Sequence, residues 1–322
     1  MQRRQVITLA GLAVAPGALW AQAGDYPKAG ATIRYIVPFP PGGLTDVMAR
    51  LVGQQISEHW KTGVLIDNRA GNGGQIGADI AAKAPGDGNT LLAITLTHAA
   101  NVTLFPKAPY SFLRDLRPVA LMAGSPMLVV VPAASPIQSF ADLVAAARTK
   151  KLNGGSSGNG TPPHLTLALF NGIAKAEIQH VPYKGGAPSI ADLMSGQLDV
   201  IFSNFPESIA QVKAGKLRAL AICSGARDPA VPDVPTTTEA GMPALLTENW
   251  TGMVVPGGTP DAIVARLGAE VVRIMNTPEI AERARSLGFR VDARGPEAFA
   301  SFLSSEIARW AAVIKAANIT TE

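Results

Sequence analysis

The chain has 322 residues, with 28 basic against 24 acidic side chains, four histidines, a formal charge of +4, 47% hydrophobic and 16% charged residues. That balance, without a Lys/Arg cluster interleaved with aromatics, argues against nucleic acid as a partner. The single cysteine, Cys223, excludes an internal disulfide and sits in an apolar run that reads as a buried strand. His59, His98, His164 and His180 are scattered without an H-x-x-x-H pair or an acidic cluster, so no metal-ligand pattern is present.

Residues 1–23 read as an export signal. Arg3 and Arg4 form a charged start, residues 6–19 an apolar run too short to span a bilayer, and Ala21-Gln22-Ala23 a small-x-small cleavage motif. The paired arginines leave the general and the twin-arginine export routes both open. Cleavage after Ala23 leaves residues 24–322, enough for two lobes, and lowers the basic count from 28 to 26 against 24 acids.

An apolar strand over 33–37 runs into Val37-Pro38-Phe39-Pro40-Pro41-Gly42-Gly43-Leu44-Thr45-Asp46. An amphipathic helix follows, with Val47, Met48, Leu51, Val52 and Ile56 inward. The prolines stiffen the turn, Gly42 and Gly43 permit backbone geometry that a Cβ forbids, and Thr45 or Asp46 can cap the helix. Bare amides and the helix dipole point the same way there, so the turn is an anion acceptor.

A second strand is predicted over 63–67, then a glycine-rich turn over 68–77, a helix ending near 84, a turn at 85–88 and a strand over 90–95 that ends in Thr97-His98-Ala99-Ala100-Asn101. Residues 121–132, apolar but interrupted by Gly124 and Pro126, read as a first crossing between lobes. A helix starts at Ser139 or Asp142 and runs to about 150. Next comes Gly154-Gly155-Ser156-Ser157-Gly158-Asn159-Gly160-Thr161, with Thr161 as N-cap, Pro162 at the first helical position, and a helix through Leu165, Leu169 and Ile173. A short strand over 178–182 leads to Tyr183-Lys184-Gly185-Gly186-Ala187-Pro188 and a helix that stops at Gly196. A strand over 198–202 ends at Ser203-Asn204, and Pro206 opens the next helix. Residues 217–223 form another strand, 224–246 a loop-rich region and 250–256 the return crossing. The rest is helical apart from a short strand near 289–291, with a last helix over about 296–317. Strands alternating with helices imply an α/β fold with mostly parallel sheets, in which ligands sit at the carboxyl ends of strands.

Gly154-Gly155-Ser156-Ser157-Gly158 matches the nucleophile elbow of serine hydrolases. The helix is delayed by Asn159 to Pro163, and only His164 and His180 follow, close behind the serine. A serine hydrolase using Ser156 is therefore a remote alternative. Gly71-Asn72-Gly73-Gly74-Gln75-Ile76-Gly77 is not a dinucleotide fingerprint, because Ile76 stands where the third glycine belongs; no Walker pattern occurs and no cofactor is called for. What remains is a set of neutral donors at strand ends: Gly42, Gly43 and Thr45; Thr97; Ser156, Ser157, Gly160 and Thr161; Tyr183; Ser203 and Asn204. Each has a plain reading as a turn or cap, and Asp46 is most simply a cap or dipole partner. Together they suit a pocket of amides and hydroxyls that holds a carboxylate without a counter-ion.

The segments at 37–46, 71–77, Pro85-Gly86-Asp87-Gly88, Gly155-Ser156-Ser157-Gly158-Asn159-Gly160-Thr161-Pro162-Pro163-His164-Leu165, Val181 to Pro188, Ser195-Gly196-Gln197-Leu198-Asp199 and Trp250 to Pro260 resemble the receptors of tripartite tricarboxylate transporters, also called Bug proteins, in order over nearly the whole chain after the export signal. The resemblance implies a type II periplasmic-binding-protein fold, two lobes with mostly parallel sheets and a ligand cleft between them. It also implies capture of a small carboxylated solute, gripped through backbone groups and two waters, for delivery to membrane permease subunits. Carried onto this sequence, the loop from Phe39 and Pro40 to Asp46 and the loop from Ser156 to Thr161 grip the carboxylate from opposite lobes. His164 is a positioning residue or ligand, Tyr183 lines the cleft and Thr97 faces the ligand's distal end. Ser203 departs from the aspartate that many members carry, which favours a di- or tricarboxylate or an aromatic acid over an amino acid. The expected lobes are 24–124 with 250–322, and 125–249, in a monomer hinged near Gly124 and Trp250. A sensor of the same fold that docks on a signalling protein is the alternative function.

Overall fold

The computed structural model describes residues 26–28 and 30–320; the expected export signal lies outside them. Strands β1 (Thr32–Val37), β2 (Gly63–Asn68) and β3 (Thr90–Thr95) run parallel in the order β2-β1-β3. The helices between them are α1 (Leu44–Trp60) and α2 (Gln75–Ala82). After β3 come α3 (Leu96–Leu104) and the short α4 (Phe112–Asp115), then the 17-residue strand β4 (Leu116–Pro132).

A second sheet forms on the far part of β4. Its helices are α5 (Phe140–Thr149), α6 (Pro162–Ala174), α7 (Gly186–Met194) and α8 (Phe205–Lys213), and its strands β5 (Asn153–Ser156), β6 (Gln179–Pro182), β7 (Val200–Asn204) and β8 (Leu217–Ile222). β5, β6 and β7 are mutually parallel, and β4 runs antiparallel between β7 and β8. The chain then returns through β9 (Glu248–Pro256), which lies antiparallel between β3 and β4 in the first sheet. Helices α9 (Asp261–Met275) and α10 (Pro278–Ser286), strand β10 (Arg290–Arg294) against β4, and α11 (Pro296–Ala316) complete it.

Strand alternation assigns each side chain to a layer, because successive residues point to opposite faces. Ile33, Tyr35 and Val37 of β1 meet Met48, Val52 and Ile56 of α1 and Leu267 and Val271 of α9. Ile36 and, from β3, Leu92 and Ile94 meet Ala78, Ala99, Phe299 and Trp310 on the other side. The second sheet repeats the arrangement: Met127, Val129 and Val131 face one helical layer, Leu128 and Val130 the other. Each fully buried large aliphatic chain contributes roughly 1.5–3 kcal/mol, so the alternation fixes the register of both sheets.

The first crossing is longer than the apolar run predicts. β4 begins at Leu116, and neither Pro118, Gly124 nor Pro126 interrupts it. A register shift between Pro118 and Ala120 absorbs the first missing donor, and at Pro126 the strand exchanges β9 for β7 and β8, so no ladder is broken there. In α6 the expected inward face is rotated: Leu167, Phe170 and Ala174 fill the second lobe's core, whereas Leu165 joins the first lobe's cluster around α3 and α11, and Leu169 and Ile173 are half-buried. α6 therefore has two partners, and one apolar stripe could not describe it. Val47 of α1 is likewise only half-buried. Cys223 is buried just past β8, and burial pushes its thiol up to about 12.

Candidate ligand-binding site

The β1–α1 turn is held from beneath by Asp46. Its carboxylate accepts the Gly42 amide at 2.9 Å, the Asn68 side-chain amide at 2.9 Å and two N–H groups of Arg50 at 2.9 Å, while Asn68 also donates to the Phe39 carbonyl at 3.1 Å. Burial alone would raise the Asp46 carboxyl, but the hydrogen bonds from Arg50, Gly42 and Asn68 hold it below the usual range. Asp46 is thus a buried anchor rather than a group offered to a ligand, and Gly42, at φ +81°, contributes its conformation while its N–H is engaged. The N-cap is Gly43, not Thr45 or Asp46, and it has no side-chain cap. The first-turn amides of α1 therefore remain directed outward with the helix dipole. Pro40 lies in the same loop, and Thr45 is a buried residue in that turn.

At the carboxyl end of β3, Thr95 caps α3: its hydroxyl accepts the Thr97 amide at 3.2 Å, and His98 Nδ1 accepts the Thr95 amide at 3.2 Å. The Thr97 side chain is buried at the second position of α3. His98 packs edge-on against Phe39, with ring centroids 5.8 Å apart, so it buttresses the β1–α1 turn. Burial lowers its pKa to about 4. Asn101 donates to the Gly73 carbonyl at 2.8 Å and so ties the 71–77 loop to α3.

The loop of the second lobe is knitted largely to itself. Ser156 Oγ accepts the Gly158 amide at 3.1 Å and meets His180 Nε2 at 2.6 Å; Thr161 Oγ1 donates to the Gly158 carbonyl at 2.6 Å; the Gly160 amide donates to His164 Nδ1 at 3.1 Å. Thr161 is the N-cap of α6 and Pro162 and Pro163 follow, so this helix start has few amides to offer. Ser157, Gly158, Asn159 and Thr161 are the half-buried members of the loop. The imidazoles of His164 and His180 stack 3.6 Å apart at 5°, and burial lowers both, His164 to about 3 with His180 as a second cause and His180 to about 4.

The Ser156–His180 contact has nucleophile–base geometry, which the sequence spacing did not suggest. The rest of a catalytic site is missing among the described residues. Ser156 is fully buried, no carboxylate orients His180, and an imidazole with a pKa near 4 is a poor base at neutral pH.

Tyr183 turns its hydroxyl to Asp192 at 2.7 Å, within its own lobe, and this bond, with burial and the Asp192 charge, raises the phenol to about 12. Ser203 Oγ donates to the Asn204 carbonyl at 3.0 Å; both residues lie inside β7 rather than past its end. Asn204 Oδ1 accepts Asn249 Nδ2 at 3.0 Å, a contact between the second sheet and the start of β9. Three residues here were not singled out from the sequence. Asn249 Oδ1 and Thr251 Oγ1 are buried polar atoms without a protein partner, two residues apart on one face of β9. Glu207, in the first turn of α8, reaches the first turn of α7, where a Cβ on Gly186 would collide with its carboxylate; burial raises it to about 6 against a lowering hydrogen bond from Asn204. An alternating polar pair in an otherwise apolar strand was the available signal for Asn249 and Thr251; Glu207 gave none beyond an acid in a first turn.

The structure joins the two lobes at two of these points. Gly160, at φ +70°, approaches α3 so closely that a Cβ would lie 2.7 Å from Leu104 Cδ1 and 3.9 Å from Asn101 Oδ1. The Asn204–Asn249 bond forms the other. Phe39 and Thr97 line one sheet's carboxyl edge and Ser156 to Thr161 the other's, while the hydroxyls of Tyr183 and Ser203 are turned to partners within the second lobe.

The family profile described as tripartite tricarboxylate transporter family receptor matches residues 48–319. Protein BugT of Bordetella pertussis is 33% identical over 321 residues, covering 98% of each chain. Among solved structures, that of Rpa4515 from R. palustris with adipate superposes with a TM-score of 0.85 at 35% identity over 92% of this chain and 99% of that one. MatC from Rhodopseudomonas palustris with bound malate gives 0.79 at 33% identity over 88% and 99%.

Proposed function

Because the chain belongs to the tripartite tricarboxylate transporter receptor family, we propose that it is an extracytoplasmic receptor that captures a small carboxylate between its two sheets and hands it to the permease subunits of such a transporter. The observation that carries this reading is the β1–α1 turn. Asp46 ties down the loop from below, the side-chain cap is absent, and the first-turn amides of α1 are left for an anion at the positive end of a 17-residue helix. Relatives of the same fold hold adipate and malate, both carboxylates. The 156–161 loop closes from the second lobe, with Ser157 and Asn159 as its freest members, and Thr97, Asn204, Asn249 and Thr251 face the remainder of the solute.

The lobes are residues 24–124 with 250–322, and 125–249, the change of partners at Met127 in β4 supporting a boundary there. Export with cleavage after Ala23 accords with a family of periplasmic receptors, and N-terminal sequencing of the exported protein tests it. No helix among the described residues is long and apolar enough to cross a membrane.

A thermal-shift panel of dicarboxylates, tricarboxylates, aromatic acids, amino acids and sugars tests the central claim, since a ligand that binds only the folded form raises apparent stability. Shifts confined to compounds with at least one carboxylate are expected. Shifts from sugars or cations alone would overturn the proposal.

A further inference from the structure

Helix α6 serves both lobes. Leu167, Phe170 and Ala174 pack in the second lobe's core, whereas Leu165, fully buried, belongs to the first lobe's cluster with Leu104 of α3, Leu303 of α11 and Trp250 of β9. Leu169, half-buried, packs against both clusters. The 156–161 loop runs directly into this helix, and Gly160 within it, at φ +70°, meets α3 at Leu104 with no room for a Cβ between them. Arg309 of α11 donates to the Leu246 carbonyl, in the last residues of the second lobe, while Glu306 of α11 accepts the Trp250 indole N–H at 2.9 Å in the return crossing. The start of α6 is therefore a third link between the lobes, besides β4 and β9.

We propose that Leu165 is a positioning residue for the cleft: it holds the 156–161 loop opposite the β1–α1 turn before a solute arrives, so that the lobes close on one another through contacts of their own. This rests on the receptor reading above and deepens it. Turning the second lobe about Gly124 and Trp250 so as to part the two loops moves Gly160 away from Leu104. It also draws Leu165, five residues further along the same element, out of the first lobe's cluster and into water, which is unfavourable for a large aliphatic side chain. A solute then shifts an equilibrium that already favours the assembled cleft, and less of its binding free energy goes into bringing the lobes together.

The test is the distance between spin labels on Gln54→Cys in α1 and Ala191→Cys in α7, exposed helical positions with one in each lobe. Cys223 is buried and stays unlabelled. Measured by pulsed electron resonance on protein refolded from urea with no solute added, the otherwise native sequence should give one narrow distribution. Leu165→Ala should add a second, distinct population, with circular dichroism showing that the variant is folded. Leu104→Ala trims the same seam from the first lobe and leaves α6 intact; it should add a smaller second population, and it decides the matter alone where Leu165→Ala does not fold. Two populations in the native sequence, or distributions in the folded variants that match the native one, would overturn the proposal. The distances are read without solute, so the two readings fail separately. A thermal-shift panel without a carboxylate hit sinks the receptor and leaves the link between the lobes, whereas native-like distances in the variants sink the link and leave the receptor.

Discussion

Gly124 of β4 and Trp250 of β9 face one another as antiparallel partners. The two crossings form one ladder, so any bend between the lobes is shared by both strands. A Cβ on Gly124 would stand 2.5 Å from the Glu248 carboxyl carbon, the end of a half-exposed side chain paired with Arg290 at 2.9 Å. A Cβ on Gly252, two residues along β9, would collide with the ring of fully buried Phe299. Gly124→Ala can be relieved by swinging Glu248 away and is expected to cost less than about 1 kcal/mol, the range of an exposed ion pair. Gly252→Ala has no such outlet and should cost about 1–3 kcal/mol as overpacking, lowering Tm by several degrees. Calorimetry on the two variants decides; equal Tm values would mean that the Phe299 layer yields as readily as a surface glutamate.

Asp46 tests the division between anchoring and gripping. Asp46→Ala strands the Gly42 amide and the Asn68 side chain, and should lower stability by about 1–3 kcal/mol. Affinity for the carboxylate found in the thermal-shift panel should fall tenfold or more, because the turn is no longer fixed. Arg50→Ala removes an exposed partner of the same carboxylate and a 3.2 Å bond to Asn68 Oδ1, and should change stability by less than about 1 kcal/mol, leaving affinity nearly intact. Calorimetric titration separates the two, and equal losses in affinity would make the Arg50 charge, not the loop geometry, the determinant.

Thr45→Val conserves shape and removes the hydroxyl of a residue buried in the first turn of α1. Stability should hold or rise slightly. If the hydroxyl donates to a bound carboxylate, affinity should drop about tenfold, within the roughly 1.5–3 kcal/mol range of a hydrogen bond to a charged group. An unchanged dissociation constant would remove Thr45 from the ligand's contacts.

Much of this was legible in the sequence because it is local. The strands at 33–37 and 90–95, Thr161 as N-cap before Pro162, and the crossing pair at Gly124 and Trp250 all follow from alternation, caps and breakers read within a few residues. What escaped depends on partners distant in the chain. No pattern announces that Asn68 and Arg50 converge on Asp46, that His180 reaches back 24 residues to Ser156, or that Leu165 serves the other lobe's core. At the strand ends, Gly42, Gly160, Thr161, Tyr183 and Ser203 each direct a donor to a neighbour within the fold. Composition identifies a donor; only the fold says whom it serves.

Acid should weaken the fold at pH values where carboxylates are not yet protonated. His98 and His180 have pKa values lowered to about 4 and His164 to about 3, chiefly by burial, whereas in the unfolded chain each titrates near 6.5. As pH falls from about 6.5 the unfolded chain takes up these protons first, so unfolding becomes progressively more favourable down to about 4 and less steeply beyond. Each unit of separation is worth about 1.4 kcal/mol, so the three rings together contribute several kcal/mol. Glu207, raised to about 6, works the other way: its folded form takes a proton before the unfolded one, which stabilises the fold as pH falls from 6 towards 4.5. The depressed carboxylates Asp46 and Asp67 act below their unfolded value of 3.8 and Glu239 and Glu270 below 4.5, which leaves the window above 4.5 to the histidines and Glu207. Urea unfolding measured between pH 7 and 4.5 should therefore show stability falling with acidity, and His180→Gln, which keeps a hydrogen-bonding group near Ser156 but cannot titrate, should flatten the slope. A slope identical to that of the parent protein would mean that the stacked pair takes up its protons as readily folded as unfolded.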